Sequence, residues 1–329
     1  MLASLLRMQL TGSNNLRCSH LVMEQSQIRI LSNYAESLGI DIPETVSVQN
    51  RKICANQINF HYLDWGKSDN PPILFLHGLA QTCRTWDLVA LALSDNYRSI
   101  TIDQRGHGDS GWSTNQDYSH DTLLDDTIKI IDKLNLDKFI LVGFSMGGKT
   151  ALNYAEKNSN RLSALVVVDS GPESNPKGTE SVRNFLEQQS DFNSVDELVN
   201  KTMQYNSTRP IESIRASVMN SIKQLDDGKW VWKYDPEIKN RISSRDSEIK
   251  LQNQLWESAN KINCPTLIMH AANSNILTKS TAIKMQSIIK GSKLVSIKNA
   301  SHLVVGDNPV DFIKELKLFL STIEFNNRN

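Results

Sequence analysis

Ser145 is the residue in this sequence best placed to do chemistry. It sits in Gly143-Phe144-Ser145-Met146-Gly147, a GxSxG pentapeptide. The apolar run Phe139 to Val142 before it has no helical period and reads as a buried strand. The segment from about Met146 to Lys157 reads as a helix. A serine on such a strand-to-helix turn is held in a strained backbone conformation that bulky flanking residues would crowd. Gly143 and Gly147 supply the room. The free N–H groups and positive end of the helix face the space above the hydroxyl, where a forming oxyanion would be stabilised. The amide of Met146 is therefore one candidate oxyanion donor.

A second donor comes from an earlier turn. The apolar run Ile73 to Leu76 ends on His77, Gly78 and Leu79, and a helix is expected from about Arg84 to Leu93. Gly78 lets the backbone bend, and the amide of Leu79 would then point at the substrate oxygen. His77 either braces this loop or touches substrate. His77, Gly78 and Phe144 are the candidate substrate contacts.

The same turn also matches a different chemistry. Gly143 followed by Gly148, Lys149 and Thr150 fits the phosphate-cradling GxxxxGKT pattern, with Asp169 after Val166 to Val168 as a magnesium-holding acid. Such a loop wraps phosphate closely with backbone amides, and Phe144 and Met146 are bulky for that. A nucleotide-binding ATPase at Gly143 to Thr150 is the rival that the rest of the chain must decide.

The chain has 329 residues, 39% hydrophobic and 22% charged, enough to bury the core of one large α/β domain with an insertion. Its 36 basic and 36 acidic residues balance, which argues against nucleic acid or an anionic membrane surface as the main partner and favours a small neutral substrate. Cys18, Cys54, Cys83 and Cys264 form no CxxC pair, so neither a zinc site nor a disulfide framework is expected. No apolar run approaches the roughly 18 to 20 residues that span a bilayer. No cofactor and no metal are expected, and a homo-oligomer stays open.

Residues 1–45 read as an N-terminal extension. Met1 to Met23 carries Arg7 and Arg17, no acidic residue and a loose leucine spacing, as a transit peptide would. The plainer expectation is a disordered extension, or a true start at Met23, and a cytoplasmic protein, with the mitochondrion as alternative. Ile28 to Leu38 would form a short surface helix ended by Gly39 and Pro43.

Strand and helix signals then alternate. Strands are expected at Ile58 to Leu63, Ile73 to Leu76, Ser99 to Ile102, Phe139 to Val142 and Ala164 to Val168, with an amphipathic helix over Asp121 to Leu134. Two glycines in Asp103-Gln104-Arg105-Gly106-His107-Gly108 demand a tight turn, in which Arg105 and His107 act as latches. Residues 173–261 break the alternation with polar, mostly helical sequence, including Val182 to Gln189, Val195 to Met203 and Ile211 to Leu225. Strands resume at Pro265 to His270 and Lys293 to Ile297, and a helix over Val310 to Leu320 closes the chain.

HGL after one strand, DQRGHGDS after the next, GFSMGG after the third and VVVDSGP after the fourth resemble the α/β-hydrolase superfamily over about residues 52–322. The resemblance implies a doubly wound, mostly parallel sheet, with residues 46–172 and 262–329 as core and a helical cap, residues 173–261, inserted after the strand ending at Asp169. It implies that His302, after the last strand, is the catalytic histidine. Many relatives place the triad acid after the strand matching Thr266 to His270, where this chain has Asn275. An amide cannot stabilise an imidazolium by charge. Some relatives take the acid from the strand after the nucleophile, which here is Asp169. The expected activity is a carboxylesterase-like serine hydrolase using Ser145, His302 and Asp169, with the amides of Leu79 and Met146 as oxyanion hole. A ligand-binding homologue that lost catalysis is the other reading that Asn275 raises.

Overall fold

A strand that is apolar at every position has both faces to bury, so it belongs in the middle of a sheet with helices on either side. The structure, a computed structural model, describes residues 25–187, 191–205, 209–241 and 245–325. The extension before Gln25, Cys18 and the targeting expectation lie outside those residues. The order begins with helix α1 (Gln25–Ser37), then β1 (Val48–Ala55), β2 (Ile58–Trp65), β3 (Pro72–Leu76), α2 (Asp87–Leu93), β4 (Arg98–Ile102) and α3 (His120–Lys133). The turn carrying Ser145 joins β5 (Phe139–Phe144) to α4 (Met146–Asn158), and β6 (Leu162–Val168) follows.

After the insertion come β10 (Thr266–Ala271), α9 (Lys279–Ile288), β11 (Lys293–Ile297), α10 (Val304–Asp307) and α11 (Pro309–Leu320). The eight-stranded sheet runs β1-β2-β4-β3-β5-β6-β10-β11. Its first two pairings, β1 with β2 and β2 with β4, are antiparallel, and the other five are parallel.

β5 and β6 sit at the centre, buried along nearly their whole length. Helices cover both faces. Trp86, Leu91 and Phe312 pack with Phe75, Val142 and Val166 on one side, joined by Leu31 and Tyr34 of α1. Ile131, Leu152, Tyr154 and Ala282 pack with Leu74, Leu141 and Leu165 on the other. The fold class read from the sequence is the one observed. In such a sheet, strand C-termini share one edge, which gathers the turns after β3, β5 and β6.

β1 is the strand that the pattern did not foretell. Its burial alternates irregularly and most of it is wet, because it is an edge strand carrying Arg51 and Lys52. Its hairpin turn puts Asn56 and Gln57 at φ of 48° and 60° without a glycine to announce it.

The insertion contains α5 (Pro176–Glu187), β7 (Asp191–Phe192), α6 (Val195–Tyr205), α7 (Ile211–Ser221), β8 (Ile222–Gln224), β9 (Trp230–Trp232) and α8 (Arg245–Lys261). It is not purely helical. The expected helix from Ile211 ends at Ser221, and Ile222 to Gln224 instead pair with Trp230 to Trp232 in a three-stranded sheet. Gly228, at φ +86°, turns that hairpin. Phe192, Leu198, Ile214, Val218 and Trp232 give the insertion its own small core.

The Arg105–Gly108 turn ties insertion to core: Gly108 N–H donates to Lys233 O at 2.6 Å and Asp235 N–H to Gly106 O at 2.8 Å. The Tyr118 hydroxyl also bonds Asp235. Among the described residues no helix is long and apolar enough to cross a membrane.

Candidate active site

The two glycines around Ser145 leave no space for a side chain. A Cβ on Gly143 would lie 2.3 Å from Gly147 O, and one on Gly147 would lie 2.5 Å from Leu76 O. Backbone therefore packs on backbone, and Ser145 is forced to φ 52°, ψ −112°. Ser145 N–H donates to Val168 O, and the Ser170 hydroxyl donates to Ser145 O at 2.7 Å. The turn is braced by the end of β6 on one side. On the other, Gly147 N–H donates to His77 O at 3.2 Å, which fastens the loop after β3 to the start of α4.

His302 comes from the loop between β11 and α10. Its Nε2 lies 3.0 Å from Ser145 Oγ and its Nδ1 lies 2.7 Å from Asp169 Oδ2. Asp169 is fully buried at the end of β6, in the left-handed region at φ 40°. Three donors converge on its carboxylate: Ala271 N–H at 2.9 Å, Ser274 O–H at 2.5 Å and the His302 ring. Ser274 is itself fixed by accepting from the N–H groups of Ile276 and Leu277. The structure thus brings Ser145, His302 and Asp169 into one chain of hydrogen bonds. Asn275 lines the neighbouring cavity, and its backbone oxygen packs against Gly178.

The backbone N–H groups of Leu79 and Met146 have no hydrogen-bond partner among the described residues. Both flank Ser145, one across the β3 turn and one next in sequence, and Leu79 lines the cavity. That cavity measures about 520 Å³ and reaches Ser145, His302 and Phe144. Phe144 also packs its ring 4.9 Å from the His302 ring.

His77 and Gly78 do not contact the cavity, contrary to the expectation that they touch substrate. His77 is completely buried, and its two ring nitrogens are spent on backbone: Nδ1 with Gly78 O at 2.7 Å, Nε2 with Gln104 N–H at 3.0 Å. Burial lowers its pKa, which keeps the ring neutral as a brace. Gly78 is held by the Phe144 ring, 2.8 Å from where its Cβ would be. Arg105 and His107 are latches: Arg105 pairs with buried Asp126, and His107 Nε2 accepts from Ala80 N–H at 3.2 Å.

The phosphate-cradling reading fails on geometry. Gly147 N–H is committed to His77 O and Lys149 N–H to Ser145 O. Ser170 fills the space beside Gly148, 2.5 Å from where a Cβ would be. Those two amides are therefore not available to wrap a phosphate.

His61, Cys83 and Asp103 form a buried cluster behind the loop after β3, with ligand-type atoms within 4.8 Å of one another. Asp103 accepts from His61 Nδ1 at 2.6 Å, from Cys83 N–H at 2.6 Å and from Asp109 N–H at 2.9 Å. Burial would raise the Asp103 pKa, but the His61 hydrogen bond and charge outweigh it and hold the pKa at about 2. Burial pushes the Cys83 thiol well up. The cluster pins the loop start to the end of β4.

Several lining residues carry no motif. Leu31 and Tyr34 come from the N-terminal helix, Arg209, Ser213 and Ser217 from the insertion, and Asn273 from the loop after β10. The helical signal of α1 was readable, its place at the cavity was not.

Comparison with known proteins agrees with this architecture. Residues 71–309 match the family model described as alpha/beta hydrolase fold. The chain is 25% identical to Esterase Rv0045c of Mycobacterium tuberculosis over 308 residues, covering 90% of this chain and 96% of that one. It is 26% identical to the 3-hydroxybutyrate-oligomer hydrolase of Cupriavidus necator over 262 residues, covering 76% and 89%. The crystal structure of the mycobacterial esterase superposes with a TM-score of 0.72 at 24% identity, over 89% of this chain and 96% of that one. With the matched segment spanning most of the sheet and the nucleophile turn, the chain belongs to the α/β-hydrolase fold family.

Proposed function

We propose that this protein is a serine hydrolase of carboxylic esters working through an acyl-enzyme on Ser145. One observation carries the reading: Ser145 Oγ, His302 and buried Asp169 lie in line at 3.0 and 2.7 Å, facing a cavity. His302 Nε2 takes the Ser145 proton as Oγ attacks the ester carbonyl carbon. The Asp169 carboxylate holds Nδ1–H, which leaves Nε2 free to accept and stabilises the imidazolium that forms.

The carbonyl oxygen becomes an oxyanion and receives hydrogen bonds from the amides of Leu79 and Met146. Each such donor is worth roughly 2.7 to 4 kcal/mol of barrier. Collapse expels the alkoxide, protonated by His302, and leaves acyl-Ser145. A water deprotonated by His302 then attacks the acyl carbon, and release of the carboxylic acid returns the proton to Ser145.

The two curated relatives support an ester as substrate, being named an esterase and a 3-hydroxybutyrate-oligomer hydrolase. A binding protein without turnover would have no need to keep a histidine between a strained serine and a buried carboxylate. The test is covalent. A fluorophosphonate should add its mass to the Ser145 peptide, and 4-nitrophenyl esters from acetate to decanoate should be turned over by wild type and not by Ser145→Ala. An unlabelled Ser145 and no turnover of any ester would refute the proposal.

A further inference from the structure

Arg209 is a charged group of the cavity that the reaction above does not use; Arg84 and Asp87, which also line it, pair with each other. Arg209, from the insertion, lines the cavity with its side chain only 8% exposed. Its Nε is buried and has no hydrogen-bond partner among the described residues. The nearest carboxylate, Asp307, has Oδ1 3.9 Å from Nε, beyond hydrogen-bond reach, while its Oδ2 accepts from Ser301 N–H at 2.8 Å and from the Ser301 hydroxyl. Among the described residues Nη2 bonds neutral oxygens: Ser213 Oγ and Ser217 Oγ at 2.8 Å each and Ser213 O at 3.1 Å. Burial pushes the Arg209 pKa down, with Asp307 and Tyr34 acting against it.

Nη2 is satisfied by neutral oxygens, and the charge is answered by a carboxylate only at 3.9 Å, so the buried guanidinium is incompletely compensated, which is costly unless an anion comes closer. Its position is also enforced. The guanidinium lies on the backbone of Gly306, where a Cβ would sit 2.7 Å from its Cζ and Nη1. Ser213 and Ser217 are four residues apart, so they share one face of α7 and present two hydroxyls beside the cation. Elsewhere the cavity is lined by Phe185, Leu186, Val218 and Trp232.

We propose that Arg209, with Ser213 and Ser217, is a carboxylate-binding subsite, so that the preferred esters carry a free carboxylate on the part of the substrate remote from the scissile bond. The proposal rests on the ester-hydrolase reading and names its substrate class. Arginine presents a planar fork of donors that suits a carboxylate better than a point charge does, and the Ser213 and Ser217 hydroxyls bonded to Nη2 are donors beside it. A singly charged group is favoured over a phosphate dianion because Asp307 already places one negative charge beside the cation. The apolar lining would hold the methylenes between the two ends.

The test compares matched pairs of 4-nitrophenyl esters: the hexanoate with the mono-adipate, and the pentanoate with the mono-glutarate. Wild type should favour the acid-terminated member of at least one pair by about tenfold or more in kcat/KM. Arg209→Met should lower that preference at least about tenfold, mainly through KM, with Arg209→Lys between. A wild type that prefers the neutral ester in both pairs, or an Arg209→Met that weakens both members equally, overturns the subsite.

Binding is measured separately on Ser145→Ala, where turnover cannot interfere. Adipate should raise its melting temperature where hexanoate at the same concentration does not, and adding Gly306→Ala, which displaces the guanidinium, should abolish the shift. No adipate shift on Ser145→Ala overturns the proposal even if every Arg209 variant misfolds. Should wild type turn over neither member of either pair, ester hydrolysis fails, and the adipate shift still decides the subsite.

Discussion

Replacing Asp169 by asparagine alters one atom and little volume, yet should cost this enzyme most of its rate. The carboxylate is fully buried and accepts at both oxygens, Oδ1 from Ala271 N–H and Oδ2 from Ser274 O–H and His302 Nδ1–H. The Ala271 amide fixes the asparagine oxygen at the Oδ1 position, so the new NH₂ occupies the Oδ2 position and meets two donors. His302 can answer only by turning Nδ1 into an acceptor, which puts its proton on Nε2, 3.0 Å from Ser145 Oγ. An Nε2 that carries a proton cannot take one.

The analogous change in serine proteases costs about 10⁴ in kcat, or about 5.5 kcal/mol at 1.36 per decade. The assay is steady-state hydrolysis of 4-nitrophenyl butyrate from pH 6 to 10, with near-UV circular dichroism to show that the variant is folded. Asn275→Ala, which removes a cavity-lining side chain without a bond to His302, should change kcat by less than about threefold. A folded Asp169→Asn within tenfold of wild type, or an Asn275→Ala as damaged as Asp169→Asn, would refute this assignment of the acid.

Ser274→Ala removes one of the donors that hold the Asp169 carboxylate against His302, so kcat for 4-nitrophenyl butyrate should fall about tenfold with KM little changed; an unchanged kcat argues against the coupling. Gly147→Ala forces a Cβ to within 2.5 Å of Leu76 O, and overpacking of about 1 to 3 kcal/mol should lower the melting temperature by about 1.5 to 4 °C. A variant with wild-type stability would show that the elbow has slack.

Burial raises the Asp87 carboxyl from 3.8 to about 6 despite its ion pair with Arg84. A folded pKa above the unfolded one means stability present below pH 3.8 and lost as pH rises through 6. Relative to Asp87→Asn, wild type should therefore lose on the order of 3 kcal/mol between pH 4 and pH 7, read by urea denaturation; parallel curves would contradict it. Leu31→Trp, on the N-terminal helix, should fill part of the cavity and raise KM for decanoate at least about fivefold relative to acetate, and an unchanged chain-length profile would remove α1 from the site.

The sheet was legible because its strands are short, apolar and punctuated, and because Gly143, Gly147, Gly106 and Gly108 mark turns that only small residues allow. A Cβ on Gly108, for example, would fall 2.1 Å from the Asp103 carboxyl. The convergence of Ser145, His302 and Asp169 was also readable, since a parallel sheet sends successive strand ends to one edge. His77 misled because a histidine at a loop start advertises chemistry, while its bonds with Gly78 and Gln104 exist only once β3 and β4 lie side by side. β8 and β9 hid for a related reason. Ile222 to Gln224 continues the helical pattern of α7, and only the partner strand Trp230 to Trp232 makes an extended conformation win.

Arg209 shows where sequence reading stops and why. In the chain it is one basic residue among 36 and lies before a proline, with nothing to distinguish it from a solvated charge. Its character comes from three segments far apart in sequence: Tyr34 on the N-terminal helix, Ser213 and Ser217 on α7, and Gly306 with Asp307 after His302. Motifs report what a residue can do within its own turn, and so they reach the nucleophile and its hydrogen-bond chain. In the proposed subsite, specificity arises where the extension, the insertion and the last core loop meet. On that proposal the parts of the chain with the least family pattern choose the substrate, while the patterned parts supply the reaction.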